Sequence, residues 1–182
     1  MLYLIDANSL INLYRYIYRV SDSKEAISGF FDEKVENGEV IILESIHEEA
    51  IRHESLLFSE MIPILESDSH LLEKSEMYPH ERVTSDLSSV LLTNSGKRFK
   101  RNNPDAFEQA KSKFMSQGDI QLVMSALNRI EDSVQCTVVS EESKRGDGKY
   151  FKKIPLICDH YELQMKNLEK YLKDEGVEIL WI

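Results

Sequence analysis

Acidic side chains occupy four positions where the sequence places them beside buried elements. They are Asp6, Glu49, Asp119 and the pair Glu141–Glu142. Two carboxylates that lie about 4 Å apart repel each other by about 4 kcal/mol at an effective dielectric near 20, so a cluster of them is stable as anions only beside cations. Oxygen ligands favour Mg²⁺ or Mn²⁺ over zinc. A cation held in this way can clamp a phosphodiester and activate a water molecule for in-line attack.

Each of these acids also has a purely structural explanation. Asp6 follows an apolar strand and could cap the helix after it. Asp119 projects onto the apolar side of its helix, but it could accept backbone N–H groups at the helix start. Glu141 and Glu142 follow "TVVS" and could lie in a polar loop. The acids form a site only if the fold brings them together.

A helix predicted over residues 45–58 distinguishes two adjacent glutamates. Its apolar stripe consists of Ile46, Ala50, His53 and Leu57. At about 100° per residue, Glu49 lies at the border of that buried stripe. Glu48 lies on the opposite side, four residues before Arg52, which is typical of a solvent-exposed pair. Glu49 is therefore the glutamate that could face a cleft.

Short apolar strands alternate with helices along the chain, which predicts an α/β fold with three layers, α/β/α, around a central and mainly parallel sheet. We expect strands over 2–5, 40–43, 136–140 and 177–182, with "KIPLI" at 153–157 extended. We expect helices over 9–20, 22–37, 45–58, 104–116 and 119–130, and around Leu168–Leu172. Residues 60–116 are predicted to form a helical insertion, with breaks near Pro63, Pro79 and Gly96.

The predicted sheet indicates where the acids meet. In open parallel sheets, ligands bind beyond the carboxyl ends of the strands. Asp6 ends the first strand, and the "SEE" at 140–142 follows a later strand. The fold could therefore bring Asp6, Asp119 and one glutamate of 141–142 to one sheet edge, with Glu49 beside them.

Charge is distributed unevenly along the chain. The net charge is −10, yet residues 94–116 and 143–153 each carry +4, which leaves −18 on the remainder. Two solvated loops would explain this pattern, and so would a surface for a polyanion. The basic residues predicted to contact nucleic acid are Lys97, Arg98, Lys100, Arg101, Lys144, Arg145 and Lys149. Phe99, Tyr150 and Phe151 lie among them, where bases could stack.

Composition limits the class of protein. A chain of 182 residues, with 42% hydrophobic and 30% charged residues, is typical of one globular domain over 1–182. No apolar run approaches the roughly 20 residues of a membrane span, so we expect a cytoplasmic protein that does not enter a membrane. Cys136 and Cys158 lack metal-ligand spacing, which favours buried free thiols over a disulfide.

Four motifs together resemble the PIN domain, the fold of metal-dependent ribonucleases and of VapC-type toxins. "YLIDANSLI" resembles its opening motif, "IHEEAI" its acidic helix, "GDIQLVMSAL" its third motif and "VVSEE" its fourth. The resemblance implies that the ligands of Mg²⁺ or Mn²⁺, and hence the catalytic residues, are Asp6, Glu49, Asp119 and Glu142. It also implies that Asn8 and Ser140 support the site. The similarity is closest to an uncharacterised PIN-like family with a "VVTEE…KIPDVC" tail.

The resemblance implies an endoribonuclease that uses an activated water, as the toxin of a type II toxin–antitoxin pair. RNA would be its substrate and an antitoxin protein its partner, and a homodimer is compatible with the sequence. The alternative is an inactive PIN-like module that binds RNA or a protein. A phosphatase with an aspartyl nucleophile would want D-x-D, where this chain has Asp6-Ala7-Asn8. Glu141 and Asp159 remain candidates for a further acid.

Overall fold

A four-stranded, all-parallel sheet lies at the centre of the computed structural model, which describes residues 1–74, 80–146 and 148–178. The strand order is β2-β1-β3-β4. The strands are β1 (Leu2–Ile5), β2 (Val40–Ile41), β3 (Cys136–Val139) and β4 (Gln164–Lys166). Helices flank the sheet, which confirms the predicted α/β fold with three layers.

Helices make up the remaining regular structure, apart from short 3₁₀ turns at Tyr18–Val20 and Ser69–Leu71. They are α1 (Ala7–Tyr16), α2 (Lys24–Glu36), α3 (Glu44–His53), α4 (Leu57–Met61), α5 (Ile64–Ser67), α6 (Glu81–Asp86), α7 (Asn94–Asn102), α8 (Pro104–Met115), α9 (Gly118–Glu131), α10 (Ile154–His160) and α11 (Leu168–Asp174). The regular elements described between β2 and β3 are all helical, as expected for the insertion.

Burial explains the apolar character of β1. Tyr3, Leu4 and Ile5 are all buried, because helices cover both faces of a parallel sheet. The buried hydrophobic residues form one cluster that extends from β1 to α11. Cys136 and Cys158 belong to it as free thiols, which confirms that prediction. In the part of the chain that the structure describes, no helix has both the length and the apolar character to cross a membrane.

Two expectations about local structure were wrong near the C-terminus. "KIPLI" begins helix α10 instead of being extended, because Pro155 occupies its first turn, where a missing N–H costs nothing. The sequence pattern also missed β4, a three-residue edge strand with little apolar content. Residues 177 and 178 are not in a strand, and 179–182 of the predicted last strand lie outside the described residues.

Several predicted element boundaries also differ from the structure. The second strand ends at Ile41 instead of residue 43, and α3 ends at His53, where the helix was expected to continue to residue 58. His53 is exposed, so it does not belong to the buried stripe of α3. Gly96 does not break a helix, because it lies inside α7. Pro79 lies outside the described residues.

The helical insertion is joined to the segment that precedes α10. The backbone N–H of Thr93 donates to the carbonyl of Tyr150 at 3.0 Å, and that of Lys152 donates to the carbonyl of Leu91 at 2.9 Å. Gly96 packs so closely that a Cβ built on it would lie 2.0 Å from the carbonyl oxygen of Tyr150. The insertion therefore holds residues 149–152 in place through contacts with residues 91–96.

We predict that Gly96→Ala destabilises the protein by about 2 kcal/mol or more, because the added methyl group collides with backbone that cannot move freely. Gly29→Ala is the matched control, since Gly29 also lies within a helix and a Cβ built there meets no atom within 4 Å beyond its chain neighbours and the backbone of its own helix. That variant should gain about 0.5–1 kcal/mol of stability. Urea unfolding of both variants measures the difference; equal stabilities would contradict the tight contact.

Candidate functional site

Strand register brings Asp6 and Ser140 to the same edge of the sheet. Ile5 is aligned with Val139, so the residues that follow them leave the sheet side by side. The backbone N–H of Asp6 donates to the carbonyl of Val139 at 3.0 Å. The chain connects β1 to β2 on one side and β3 to β4 on the other. This edge is therefore the point where the strand order switches direction, which is where open α/β sheets bind ligands.

Asp6 is held at this edge by the helix that it precedes. Its Oδ1 accepts the backbone N–H of Ser9 at 2.6 Å, so Asp6 is the N-cap of α1. Ser140, which is also buried, hydrogen-bonds to the Asp6 carboxylate, and its own Oγ accepts the backbone N–H of Glu142 at 3.1 Å. The predicted supporting role of Ser140 therefore has a physical basis: it joins Asp6 to the loop of Glu142.

The two adjacent glutamates after β3 have different partners. Oε1 of Glu141 accepts the backbone N–H of Leu168 at 2.7 Å, at the start of α11. Oε2 of Glu142 accepts the backbone N–H of Ile154 at 3.1 Å, at the start of α10. Glu141 is exposed and Glu142 is half-buried. The structure thus separates the pair, and it places Glu142 among the acids around Asp119.

Glu49 reaches the same place from α3. Glu49 is half-buried and Glu48 is exposed, as the helical phase predicted. Helix α3 packs against α9 at Gly118, where a built Cβ would lie 2.7 Å from Cδ1 of Ile46 and 3.4 Å from Oε2 of Glu49. Glycine at this position lets the Glu49 carboxylate lie beside the first turn of α9, which carries Asp119.

Electrostatics show that these acids are close enough to affect one another. Burial raises the pKa of Asp119 to about 7, and the charges of Asp6, Glu49 and Glu142 contribute to the increase. We call these four residues the acidic cluster. They are the residues that the sequence predicted to converge.

Asp6 experiences opposing influences. Burial raises its pKa, hydrogen bonds from Ser140 and Ser9 counteract the increase, and the charge of Glu141 adds to it. The net effect is a raised pKa of Asp6, so keeping its carboxylate ionised costs free energy even with these hydrogen bonds. A cation beside the cluster would relieve that cost at both Asp6 and Asp119.

The acidic cluster could hold a divalent cation through carboxylate oxygens alone, which is the donor chemistry of Mg²⁺ and Mn²⁺. The placement of Asp119 fits such an ion, because its carboxylate is largely buried and the charges of Asp6, Glu49 and Glu142 act on it. Among the described residues, no three His, Cys, Asp or Glu side chains form a ready-made metal-binding group. The fit is therefore one of donor type and charge, without a preformed coordination shell.

Two clefts adjoin the acidic cluster. The first, of about 470 Å³, is lined by Asp119 and Glu142 and by lysines of α8 and of the segment before α10, and we call it the lysine cleft. These lysines are Lys113, Lys149, Lys152 and Lys153. The second, of about 550 Å³, is lined by Glu48, Glu49 and Gly118. Lys113 and Gln117 line both clefts, so the two lie next to each other along α8 and the start of α9.

The basic residues predicted from the sequence are dispersed in the structure. Of the seven, Lys149 is among the described residues that line the lysine cleft. Lys97, Arg98, Arg101 and Arg145 are exposed. Lys100 donates to the carbonyl of Ser88 at 2.7 Å, and Lys144 pairs with Asp159 at 2.7 Å. The contact of these residues with nucleic acid stays a prediction.

The aromatic residues predicted to stack with bases pack against other aromatic rings of the protein. Phe99 stacks on Tyr150 with ring centroids 4.2 Å apart, and Phe151 stacks on Phe114 at 4.5 Å. Phe151 is buried. The sequence placed these rings near the basic residues, but it could not show that they pair with each other.

Other predicted positions lie near the site without joining the acidic cluster. Asn8 is exposed in the first turn of α1, where the backbone of Ser9, and not Asn8, bonds to Asp6; the supporting role of Asn8 stays a prediction. Asp159 is exposed and pairs with Lys144. Sequence reasoning did not select Lys113, Lys152 and Lys153 as contacts, although all three lie in the two basic segments.

Comparison with known proteins gives a family without an assigned activity. The family model described as a domain of unknown function, DUF4411, matches residues 3–179. The chain belongs to the DUF4411 family. No curated protein and no solved structure matches this DUF4411 protein.

We predict that Asp119→Asn changes how the stability of this DUF4411 protein depends on pH. Asp119 has a native pKa of about 7 and an ordinary value of 3.8. Between these values the native state binds more protons than the unfolded state, so Asp119 lowers stability progressively as pH rises through this window. Metal-free Asp119→Asn should therefore gain stability relative to the wild type from pH 4 to pH 7, and the gain should level off above that. Urea unfolding across this range measures it; a constant difference would contradict the raised pKa.

Proposed function

We propose that this protein is a Mg²⁺- or Mn²⁺-dependent endoribonuclease that hydrolyses phosphodiester bonds of RNA with an activated water. The observation that carries the proposal is the convergence of three acidic charges on Asp119 beside a cleft lined by lysines. A carboxylate cluster attracts a divalent cation, and lysines attract phosphates. Their adjacency suits a substrate that needs both, and a phosphodiester chain is such a substrate.

The chemistry divides between the acids and the lysines. A cation held by the acidic cluster would stabilise the charge of the attacked phosphate and lower the pKa of a bound water. Asp6 is fixed by the N–H of Ser9, and Glu142 by its bond to the N–H of Ile154, so both carboxylates are oriented before a ligand arrives. Asp119 can hold or release a proton near neutral pH. The mechanism needs no covalent intermediate with the protein.

The biological role is proposed on sequence resemblance alone. The motifs around Asp6, Glu49, Asp119 and Glu142 resemble those of PIN-domain toxins. We therefore propose that the protein acts in the cytoplasm as the toxin of a type II pair, with an antitoxin protein as partner.

A PIN-like module that binds RNA or a protein without cleaving it is the second candidate. The observation that favours it is the lysine cleft, whose positive charges could hold a phosphate chain without a cation. The two candidates differ in one property: only a nuclease should couple a divalent cation to hydrolysis.

We predict that millimolar Mg²⁺ or Mn²⁺ raises the melting temperature, because a ligand that binds only the native state stabilises it. At ten times Kd the gain is about 1.4 kcal/mol, or roughly 3–6 °C for a chain of this size. Asp6→Asn should reduce the gain, since asparagine keeps the helix cap but removes the charge. Differential scanning calorimetry with and without metal measures both.

Asp159→Asn is the matched control for the thermal shift, because Asp159 is exposed, pairs with Lys144 and is not among the charges that act on Asp119. Its metal-induced gain should equal that of the wild type. Melting curves of the wild type that do not change across millimolar metal would count against the site, and an equal loss in both variants would point to non-specific binding.

We predict that Glu49→Gln abolishes metal-dependent RNA cleavage, while Glu48→Gln leaves it within a few fold. Both residues lie in α3 and line the second cleft, but Glu49 lies beside Gly118 and its charge acts on Asp119, whereas Glu48 is exposed. Cleavage of a labelled RNA is followed on denaturing gels, with EDTA as the blank. The reverse order of activities would contradict the assignment of Glu49. Absence of metal-dependent cleavage in the wild type would favour the binding module.

A further inference from the structure

The second cleft differs from the lysine cleft in its balance of charge. Four lysines line the lysine cleft against two carboxylates. In the second cleft the cations Arg52 and Lys113 face the carboxylates of Glu48 and Glu49, with His53 as a further polar side chain. Two carboxylates repel a phosphate that approaches them, so this cleft has no surplus of positive charge for one. It suits an uncharged group that forms hydrogen bonds.

Arg52 supplies hydrogen-bond donors to the second cleft. Its Nε donates to the carbonyl of Glu48 at 3.2 Å, within α3. Whereas Arg15 and Arg129 pair with carboxylates, Arg52 forms no ion pair with any residue that the structure describes. A guanidinium carries five N–H donors in a fixed plane. The bond to Glu48 uses one of them, and both Nη groups remain available to a ligand.

The second cleft lies where a nucleotide next to the acids would enter. Glu49 lines it together with Gly118, and the next residue, Asp119, lines the lysine cleft. Lys113 and Gln117 border both clefts. An RNA strand with one phosphate over the acidic cluster can therefore place a neighbouring base beside Arg52.

We infer that the second cleft is a guanine subsite, in which Arg52 donates two hydrogen bonds to O6 and N7 of the base beside the phosphate that is cleaved. The inference deepens the proposed nuclease function and rests on it for RNA as the substrate. Paired donation from arginine to these two acceptors is the commonest base-specific contact in nucleic-acid complexes. Adenine presents an N–H donor in place of O6, and pyrimidines lack N7, so the same fork does not fit them. Arg52 is thus a specificity-determining residue.

The test is binding of labelled hexanucleotides to the metal-free protein, measured by fluorescence anisotropy. The probes are oligo-U and the same strand with one central guanosine, adenosine or cytidine. The guanosine probe should bind at least about fivefold more tightly than the other three. Inosine keeps O6 and N7 and should match guanosine, whereas 7-deazaguanosine lacks N7 and should lose most of the gain. Equal affinities, preference for another base or a full gain with 7-deazaguanosine would each overturn the inference.

Two variants test Arg52 directly. Arg52→Ala should bind the guanosine probe no better than the other probes. Arg52→Lys keeps the charge but lacks the planar fork, so its affinity for oligo-U should stay close to that of the wild type while its guanosine gain falls below about twofold. The matched control is Arg19→Ala, because Arg19 is exposed and lines neither cleft, and it should keep the full gain. A full guanosine gain in both Arg52 variants would overturn the inference.

Failure of this inference differs from failure of the proposed function. Metal-dependent cleavage with no guanosine gain would leave the nuclease and remove the guanine subsite. A guanosine gain that depends on Arg52, without cleavage in Mg²⁺ or Mn²⁺, would support the subsite and remove the nuclease. If both hold, cuts in a longer RNA should lie at a fixed position relative to guanosines and lose that pattern in Arg52→Lys. A wild type that binds none of the probes would overturn the inference.

Discussion

The hydrogen bond from the N–H of Asp6 to the carbonyl of Val139 is the contact on which the site depends. It extends the parallel register of β1 and β3 by one step beyond Ile5, so that Asp6 and Ser140 leave the sheet side by side. A shift of register by one residue would turn the side chains of β1 to the other face and carry Asp6 away from the edge. Since both strands are buried, such a shift would expose core residues, and this protects the geometry of the site.

The acidic cluster is tolerated in part because three of its four members lie at the starts of helices. Asp6 caps α1, Glu142 binds the first N–H of α10, and Asp119 lies in the first turn of α9. Helix N-termini carry a partial positive charge, which offsets part of the repulsion among carboxylates. Capping and function are therefore not competing explanations for these residues. Oε2 of Glu142 makes the cap, and the charge of the same carboxylate still acts on Asp119.

The sequence was sufficient where a short-range pattern determines the outcome. The run of apolar residues predicted β1, and helical phase separated Glu49 from Glu48, because both depend on neighbours along the chain. It failed for α10, since Pro155 is compatible with an extended segment and with a helix start. The lysine cleft could not be predicted, because it forms only where residues 91–96 pair with residues 149–152.

The helical insertion holds residues 149–152 in place, so different parts of the chain position the cleft lysines and the acids. The acids lie at the edge of the sheet and in the helices that begin there, whereas three of the four cleft lysines depend on a wall held by Leu91 and Thr93. Sequence changes in the insertion can therefore alter the lysine cleft without disturbing the acidic cluster. Because different segments position the two sets of groups, a change in one set need not disturb the geometry of the other.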